Sequence, residues 1–193
     1  MRRCRQCKQY TIPKDAPSSQ WWCCEDHRVA WAMEAGRKLL KQDVRKAKAK
    51  AREKLKTLSE WVTEAQTWVN RVVVAEDRPK GCISCDSALV TECGHYFHRG
   101  SKYRIARLTL HRSNLAGQCG HCNRWKGGMQ HEYRIGIIAR YGQAAFDALC
   151  EMKRLTDCNE ITPLTIDDCK EEITKAKARL KALKNGLVDT MEK

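Results

Sequence analysis

The sequence has no long hydrophobic run, and it is short of proline and of acidic residues. Only four of its 193 residues are proline, and 23 Asp and Glu stand against 37 Lys and Arg. No apolar segment follows the basic first residues, so we expect neither a secretion signal nor a membrane span. We therefore predict a cytoplasmic protein that has no membrane partner.

The shortage of acidic residues leaves a net charge of +14. Such a charge favours a polyanionic partner, most often nucleic acid, with an anionic membrane surface as the weaker alternative. Apart from two cysteine-rich segments, the chain contains no internal repeat, and it has no low-complexity linker. Together with the patterns described below, this predicts a mostly helical α+β fold.

The twelve cysteines are more typical of metal ligands than of disulfides, because thiols stay reduced in a cytosol. Three pairs have the two-residue gap of zinc knuckles, namely Cys4/Cys7, Cys82/Cys85 and Cys119/Cys122. The other cysteines outside the N-terminal segment are isolated, and we expect them to be small buried hydrophobic residues: Cys93, Cys150, Cys158 and Cys169.

Residues 1–29 are predicted to form an N-terminal zinc-binding module. Cys4 and Cys7 supply two thiolates, and Cys23 with His27 completes the four ligands that a tetrahedral zinc requires. Cys24 is an alternative to Cys23 as the third ligand.

Residues 30–76 are predicted to form one long helix. Apolar or small residues recur there at the helical period, and no Pro or Gly interrupts the chain from Arg37 to Arg78. A rod of that length cannot bury its apolar stripe against a small domain. We therefore expect it to pair with another helix, in the same chain or in a second copy, and predict a homodimer.

The first half of this predicted helix is strongly basic, with ten Lys or Arg and two acidic residues between Arg37 and Lys56. Charges of one sign repel one another, and a phosphate backbone would relieve that repulsion, although simple solvation is the alternative. The predicted DNA contacts on the helix are Arg45, Lys46 and Lys48.

Residues 77–142 contain a second predicted zinc site, formed by two Cys-x-x-Cys pairs 33 residues apart: Cys82, Cys85, Cys119 and Cys122. Strands are predicted at 88–92 and 107–111, and helices after Cys119 and at 131–141. Residues 143–193 are predicted to be helical with one break, and their last helix spans 166–185 between a capping box and an Asn-Gly step.

A histidine and two asparagines occur around the second cysteine set in an order that is typical of a known motif. His95 follows the first predicted strand, Asn114 comes 19 residues later, and Asn123 directly follows the last cysteine. This order resembles that of the His-Asn-His (HNH) nucleases, the ββα-metal finger, with Asn in place of the last His. The predicted module is therefore small, zinc-bound and HNH-like, of the treble-clef type.

A closer resemblance covers essentially the whole chain. The segments C-I-S-C at 82–85, G-H-Y-x-x-R-G at 94–100 and E-Y-R-x-G-x-I-x-R-Y-G at 132–142 are similar to the NinG (Rap) family of lambdoid phage recombination proteins. The resemblance implies an endodeoxyribonuclease selective for branched DNA, such as Holliday junctions and D-loops. For a phage-encoded chain, the cytoplasm would be that of the host cell.

The resemblance assigns roles within this nuclease. His95 would be the general base that deprotonates a water, Asn114 would brace the hairpin, and the Asn123 amide oxygen would hold a catalytic Mg²⁺ or Mn²⁺. Two structural zinc ions complete the expected cofactors.

One position departs from the commoner HNH pattern. Many such nucleases carry Asp or His directly before the base, as a second metal ligand, and this chain has Gly94 there. Glu92, His98 and Glu132 are candidates to replace that ligand. Four further basic residues could bind phosphates near the scissile bond or simply be solvated, namely Arg99, Arg104, Arg124 and Lys126.

Two other functions fit the same sequence. The chain could be a non-catalytic, zinc-containing DNA-binding accessory protein of recombination, in which the finger is only a scaffold. It could also be a general nuclease without preference for branched DNA. Cleavage of a four-way junction by the wild type and by a His95→Ala variant separates these functions.

Overall fold

The chain forms two compact units, Met1–Lys56 and Thr57–Lys193. The computed structural model describes residues 2–86, 89–98 and 107–186. The boundary between the units lies inside the segment that was predicted as a single helix. Among the described helices, none is both long and apolar enough to cross a lipid bilayer.

The first unit consists of a minimal hairpin and one long helix. Strand β1 (Arg2–Arg3) pairs antiparallel with β2 (Thr11–Ile12), and helix α1 spans Glu25–Lys54. Acidic residues in the first turn of α1 and basic residues in its last turn complement the helix dipole. None of the 30 residues of α1 is buried, and apolar side chains such as those of Leu40 and Val44 are exposed.

The prediction of one helix over 30–76 is wrong. Helix α1 ends at Lys54, and a separate helix α2 spans Leu58–Asp77. The reason is a capping box: the Thr57 hydroxyl accepts from the Glu60 backbone N–H at 3.3 Å, and the Glu60 carboxylate accepts from the Thr57 N–H at 2.8 Å. This arrangement satisfies the free N–H groups of a new helix and fixes its first residue.

Helix α2 is the central element of the second unit. Its apolar face packs against helix α5 (Ile166–Lys184) and against the hairpin described next. The buried side chains of this α2–α5 core include Trp61, and Trp68 packs at its margin. The core contains Trp61, Val62, Ala65, Val69, Val73, Leu110, Leu115, Leu164, Cys169, Ile173 and Ala176.

The second hairpin pairs β3 (Glu92–His95) with β4 (Leu115–Gln118), with Glu92 opposite Gln118 and His95 opposite Leu115. The first strand therefore lies C-terminal to the predicted 88–92, of which residue 88 is outside the described residues. The predicted strand at 107–111 is wrong, because Arg107–Thr109 is a 3₁₀ helix. Leu108 and Leu110 alternate as in a strand, but they pack into different cores.

A second core forms on the other side of the hairpin, against helices α3 (Gln130–Tyr141) and α4 (Gln143–Asp157). Helix α3 ends before Gly142, as predicted, and α5 starts with the predicted capping box of Thr165 and Asp168. Of the four isolated cysteines, Cys169 is buried, whereas Cys158 is exposed, which corrects the expectation for Cys158. The second core contains Ile83, Leu108, Ala116, Tyr133, Ile137, Phe146 and Leu149.

Candidate functional site

Both predicted zinc ligand sets are assembled in the described residues. In each set, the four ligand atoms lie within 4.8 Å of one another. Four sulfur ligands at the usual zinc–sulfur distance of about 2.3 Å would be separated by about 3.8 Å. The Sγ atoms of Cys85 and Cys119 are 3.8 Å apart, and those of Cys7 and Cys23 are 4.0 Å apart. Both sets could therefore hold zinc.

The first set contains Cys23 rather than its neighbour Cys24. Its members are Cys4, Cys7, Cys23 and His27, whereas the Cys24 side chain is exposed and outside the set. Although burial opposes it, backbone N–H groups near Cys4 lower the pKa of its thiol to about 6. A thiolate at neutral pH is the form that binds zinc.

The second set ties the hairpin to the short helix that follows it. Cys82 Sγ accepts from the Cys119 N–H at 3.3 Å, and Cys119 Sγ accepts from the Cys122 N–H at 3.5 Å. The Cys122 N–H lowers the pKa of the Cys119 thiol to about 7, whereas burial raises the pKa of the Cys122 thiol. Helix α3 approaches this knuckle closely, since a Cβ on Gly136 would lie 2.0 Å from the Ile83 carbonyl oxygen.

His95, the predicted base, is the last residue of β3 and contacts helix α2. Its Nε2 lies 2.9 Å from Gln66 Nε2, which also donates to Asn70 Oδ1 at 2.8 Å. The Gln66 side chain is almost fully buried, and its Oε1 has no hydrogen-bond partner among the described residues. With the Gln66 amide nitrogen as the donor, this contact requires the His95 tautomer in which Nε2 is the acceptor.

Asn114 makes the contacts expected of a brace. Its buried side chain accepts from the Phe97 N–H at 2.8 Å, and it donates to the carbonyl oxygens of Phe97 and Leu108. The Asn114 carbonyl accepts from the Tyr96 N–H at 2.9 Å. The two residues after His95 are therefore fixed to the start of β4, so the backbone leaving His95 has one defined path.

Asn123 lies in the short π-helix His121–Trp125 and contacts β3. Its Nδ2 donates to Glu92 Oε2 at 2.8 Å, and the Arg124 guanidinium lies 2.5 Å from Glu92 Oε1. Of the three candidates for a second metal ligand, Glu92 is therefore the one in contact with Asn123. His98 is exposed near Gln130, and Glu132 lies on α3.

Glu92 and Asn123 line an open cleft of about 560 Å³ along the free edge of β3. Helix α2 forms its opposite wall, and Arg71 stacks on Trp68 at 4.7 Å beside it. Three arginines at one cleft give a surface that suits phosphate groups. The polar lining includes Asn70, Arg71, Arg78, Thr91, Glu92, Asn123 and Arg124.

The structure explains why position 94 is a glycine and not the commoner metal ligand. A Cβ on Gly94 would lie 2.0 Å from Gln118 Oε1. The Gln118 side chain donates to Ser84 Oγ and to the Gly128 carbonyl, both at 2.8 Å, so it is held in that place. An acidic side chain at 94 would therefore require Gln118 to move.

The structure brings Glu92 and Asn123 together, and it places His95 against a different element. His95 contacts Gln66 of α2, whereas Glu92 contacts Asn123 and lines the cleft. Gln66 and Asn70 connect His95 to the cleft, because Gln66 contacts both His95 and Asn70, and Asn70 lines the cleft. The assignment of His95 as the base stays a prediction.

The predicted phosphate contacts are dispersed. Arg124 lines the cleft and Lys126 is exposed three residues after Asn123. Arg99 and Arg104 lie outside the described residues. The side chains on α1 that were predicted to contact DNA are exposed in the first unit, namely Arg45, Lys46 and Lys48.

Sequence reasoning missed Asp77, a fully buried carboxylate at the end of α2. It accepts from the Gly117 N–H at 2.8 Å and from Arg112 at 2.7 Å, and Lys80 lies 3.3 Å away. These contacts fix β4 to α2 and thus position the hairpin. Gln66, Arg71 and Arg78 were also missed. For Gln66, the sequence offered one signal: a polar residue at a core position of an apolar helix stripe.

Comparison with known proteins decides the family. The profile of the family described as Bacteriophage Lambda NinG protein matches residues 1–186. The chain belongs to the NinG family. This family membership was the resemblance predicted from the sequence.

Curated NinG proteins of several phages are similar over nearly their full length. Protein ninG of Escherichia phage 933W is 30% identical over 201 residues, which cover 96% of this chain and 94% of that protein. The NinG proteins of Escherichia phage lambda and Salmonella phage P22 are each 29% identical, and the alignments cover 96% of this chain and 94% and 95% of those proteins. No solved structure matches the chain.

Proposed function

We propose that this NinG protein is a metal-dependent DNA endonuclease that cuts branched recombination intermediates. The observation that carries the proposal is the contact between Glu92 and Asn123 in an arginine-lined cleft beside a zinc-held hairpin. A carboxylate and an amide oxygen are ligands that suit Mg²⁺ or Mn²⁺. The net charge of +14 supports a polyanionic substrate.

Glu92 and Asn123 would hold the divalent ion, which supplies charge stabilisation at a phosphate when it is bound. Arg71, Arg78 and Arg124 would bind phosphates on either side of the scissile one. His95 would accept the proton of the attacking water. In the tautomer whose Nε2 accepts from Gln66, Nδ1 carries the ring proton, so His95 would have to exchange the Gln66 contact for one with the attacking water before Nε2 could accept a proton.

A test compares the wild type with His95→Ala on labelled four-way junctions and on linear duplex of the same length, with Mg²⁺ or Mn²⁺. We expect the wild type to cut the junction and the variant to bind it without cutting. His98→Ala is the matched control, since His98 is exposed and outside the cleft, and it should cut normally. Equal cutting of linear duplex would indicate a general nuclease.

One observation favours a second function, that of a non-catalytic DNA-binding protein. His95 faces α2 and is bonded to Gln66, so the imidazole serves a structural contact in this structure. Such a protein would bind junctions and cut none of them with any divalent ion. His95→Ala would then lower the melting temperature and leave junction binding by the folded protein unchanged.

Two copies of the chain are part of the proposal, since two symmetric cuts resolve a four-way junction. The motive is the apolar stripe of α1, which the described part of the chain leaves exposed. The stripe on α2, by contrast, is covered by α5. Sedimentation at micromolar concentration is expected to show a dimer, and a Leu40→Lys, Val44→Lys double variant should be monomeric. A wild type that stays monomeric contradicts this part.

A further inference from the structure

Trp125 is the most exposed of the large apolar side chains in the described residues, with 84% of its surface accessible. It ends the π-helix His121–Trp125, two residues after Asn123. Its neighbours along the chain, Arg124 and Lys126, are exposed basic residues. Lys is depleted from protein–protein interfaces, whereas an aromatic ring between basic residues suits nucleic acid.

The backbone that carries Trp125 is held firmly. The Lys126 N–H donates to the His121 carbonyl at 3.0 Å, and the Gly128 N–H donates to the Cys122 carbonyl at 2.9 Å. Gln118 Nε2 donates to the Gly128 carbonyl at 2.8 Å. Because Cys122 belongs to the second zinc ligand set, the position of the ring is tied to that set rather than to a flexible loop.

The chemistry around the ring selects its partner. The aromatic face of Trp125 can stack on another planar ring, and the charged ends of Arg124 and Lys126 attract anions. A nucleotide with an unpaired base offers both a planar ring and a phosphate. In a continuous duplex the base faces are hidden by stacking, so the ring could reach a base at a branch, a fork or a single strand.

We propose that Trp125 is a stacking platform for an unpaired base next to the cleft, and that it gives the protein its preference for branched over continuous DNA. This inference rests on the proposed DNA binding. It does not require cleavage, because stacking precedes and is independent of phosphodiester hydrolysis.

The test measures the affinity of the full-length, zinc-loaded protein by fluorescence anisotropy, without added Mg²⁺ or Mn²⁺. The probes are a forked duplex with single-stranded arms and a blunt duplex of equal length. Trp125→Leu is expected to weaken fork binding roughly tenfold and to leave duplex binding unchanged. Trp125→Phe keeps an aromatic face and should retain most of the fork affinity.

A matched control and a contact readout accompany these variants. Tyr141→Leu removes another exposed aromatic ring, at the end of α3, and should leave both affinities unchanged. The base analogue 2-aminopurine, placed at the fork, should be quenched by the wild type and not by Trp125→Leu, because quenching requires ring contact.

Three results would overturn the inference. Equal loss of affinity for fork and duplex would make Trp125 a general backbone contact. Unchanged affinity for both probes would remove it from the DNA interface. A shift in the sedimentation of Trp125→Leu relative to the wild type, with DNA affinity unchanged, would make the ring a protein interface. A protein that never cuts DNA could still show the expected selective loss of fork affinity, so this inference and the proposed nuclease activity are tested separately.

Discussion

Helices α1 and α2 have the same kind of apolar pattern, but only α2 buries its apolar side chains. Helix α1 has 30 residues and buries none of them, whereas α2 has 20 residues and buries seven. The difference lies in the packing partners: α2 packs against α5 and the hairpin, whereas the described residues of the first unit bury no residue of α1. An apolar stripe thus indicates a helix, but only its partner decides whether the stripe stabilises the fold.

The same contrast separates residues that can form a binding site from residues that only contribute positive charge to the surface. Helix α2 contributes Gln66, Asn70 and Arg71 to the surroundings of the hairpin, where Gln66 is buried against His95 and Arg71 stacks on Trp68. The basic residues of α1 are solvated, so they suit non-specific attraction of DNA. Helix α2 is therefore part of the proposed site, whereas DNA binding by α1 stays a prediction.

The largest effect is expected from loss of one zinc set. Cys119→Ser removes a ligand next to buried groups of the second unit, and metal affinity there contributes folding energy. Hydrogen exchange with mass spectrometry should show protection lost over residues 82–142 and retained in 1–29, with one zinc per chain instead of two. Cys4→Ser is the reciprocal control and should unprotect 1–29 alone. If either variant lost protection equally in both units, that result would contradict the division of the chain into two units.

Asp77→Ala should have the next largest effect. The substitution removes the buried acceptor of the Gly117 N–H and leaves Arg112 without its short contact, at a cost of about 3 kcal/mol. Thermal unfolding followed by circular dichroism should show this loss for the second unit. Asp43→Ala on α1 is the matched control, and little change is expected there. An unaltered transition for Asp77→Ala would mean that β4 is positioned by other contacts.

A smaller effect tests the comparison of the two helices directly. Val73 on α2 is fully buried and Val44 on α1 is 59% exposed, so the same substitution probes both environments. Val73→Ala should cost about 2 kcal/mol of unfolding free energy through the cavity it leaves. Val44→Ala should change the stability of the monomer by less than about 0.5 kcal/mol. Similar losses at the two positions would show that α1 is buried in solution, by a second copy or otherwise.

Local signals in the sequence were sufficient for several features. The spacing of Cys82, Cys85, Cys119 and Cys122 predicted their assembly, because two-residue gaps fit a tetrahedral metal. The Thr165–Asp168 capping box predicted the start of α5. The same kind of signal at Thr57 and Glu60 predicts the start of α2, and it was overlooked because the apolar period continues across the break between the helices.

Other features depended on contacts between distant residues. Gln66 meets His95 across 29 positions, and Asp77 meets Gly117 across 40. No local pattern encodes such a pair, since each depends on how α2 packs on the hairpin. The sequence likewise left open whether Glu92, His98 or Glu132 is the neighbour of Asn123. The register of β3 with β4 places Glu92 in that position.

The most direct test of the proposed site is the Mn²⁺ dependence of junction cleavage by the wild type and by Glu92→Gln, measured in single turnover with both zinc sets loaded. The account predicts that the wild type cuts and that the variant needs roughly tenfold more Mn²⁺ for half its maximal rate, because one carboxylate ligand is lost. A variant that cuts like the wild type at every Mn²⁺ concentration, or a wild type that never cuts, would contradict it.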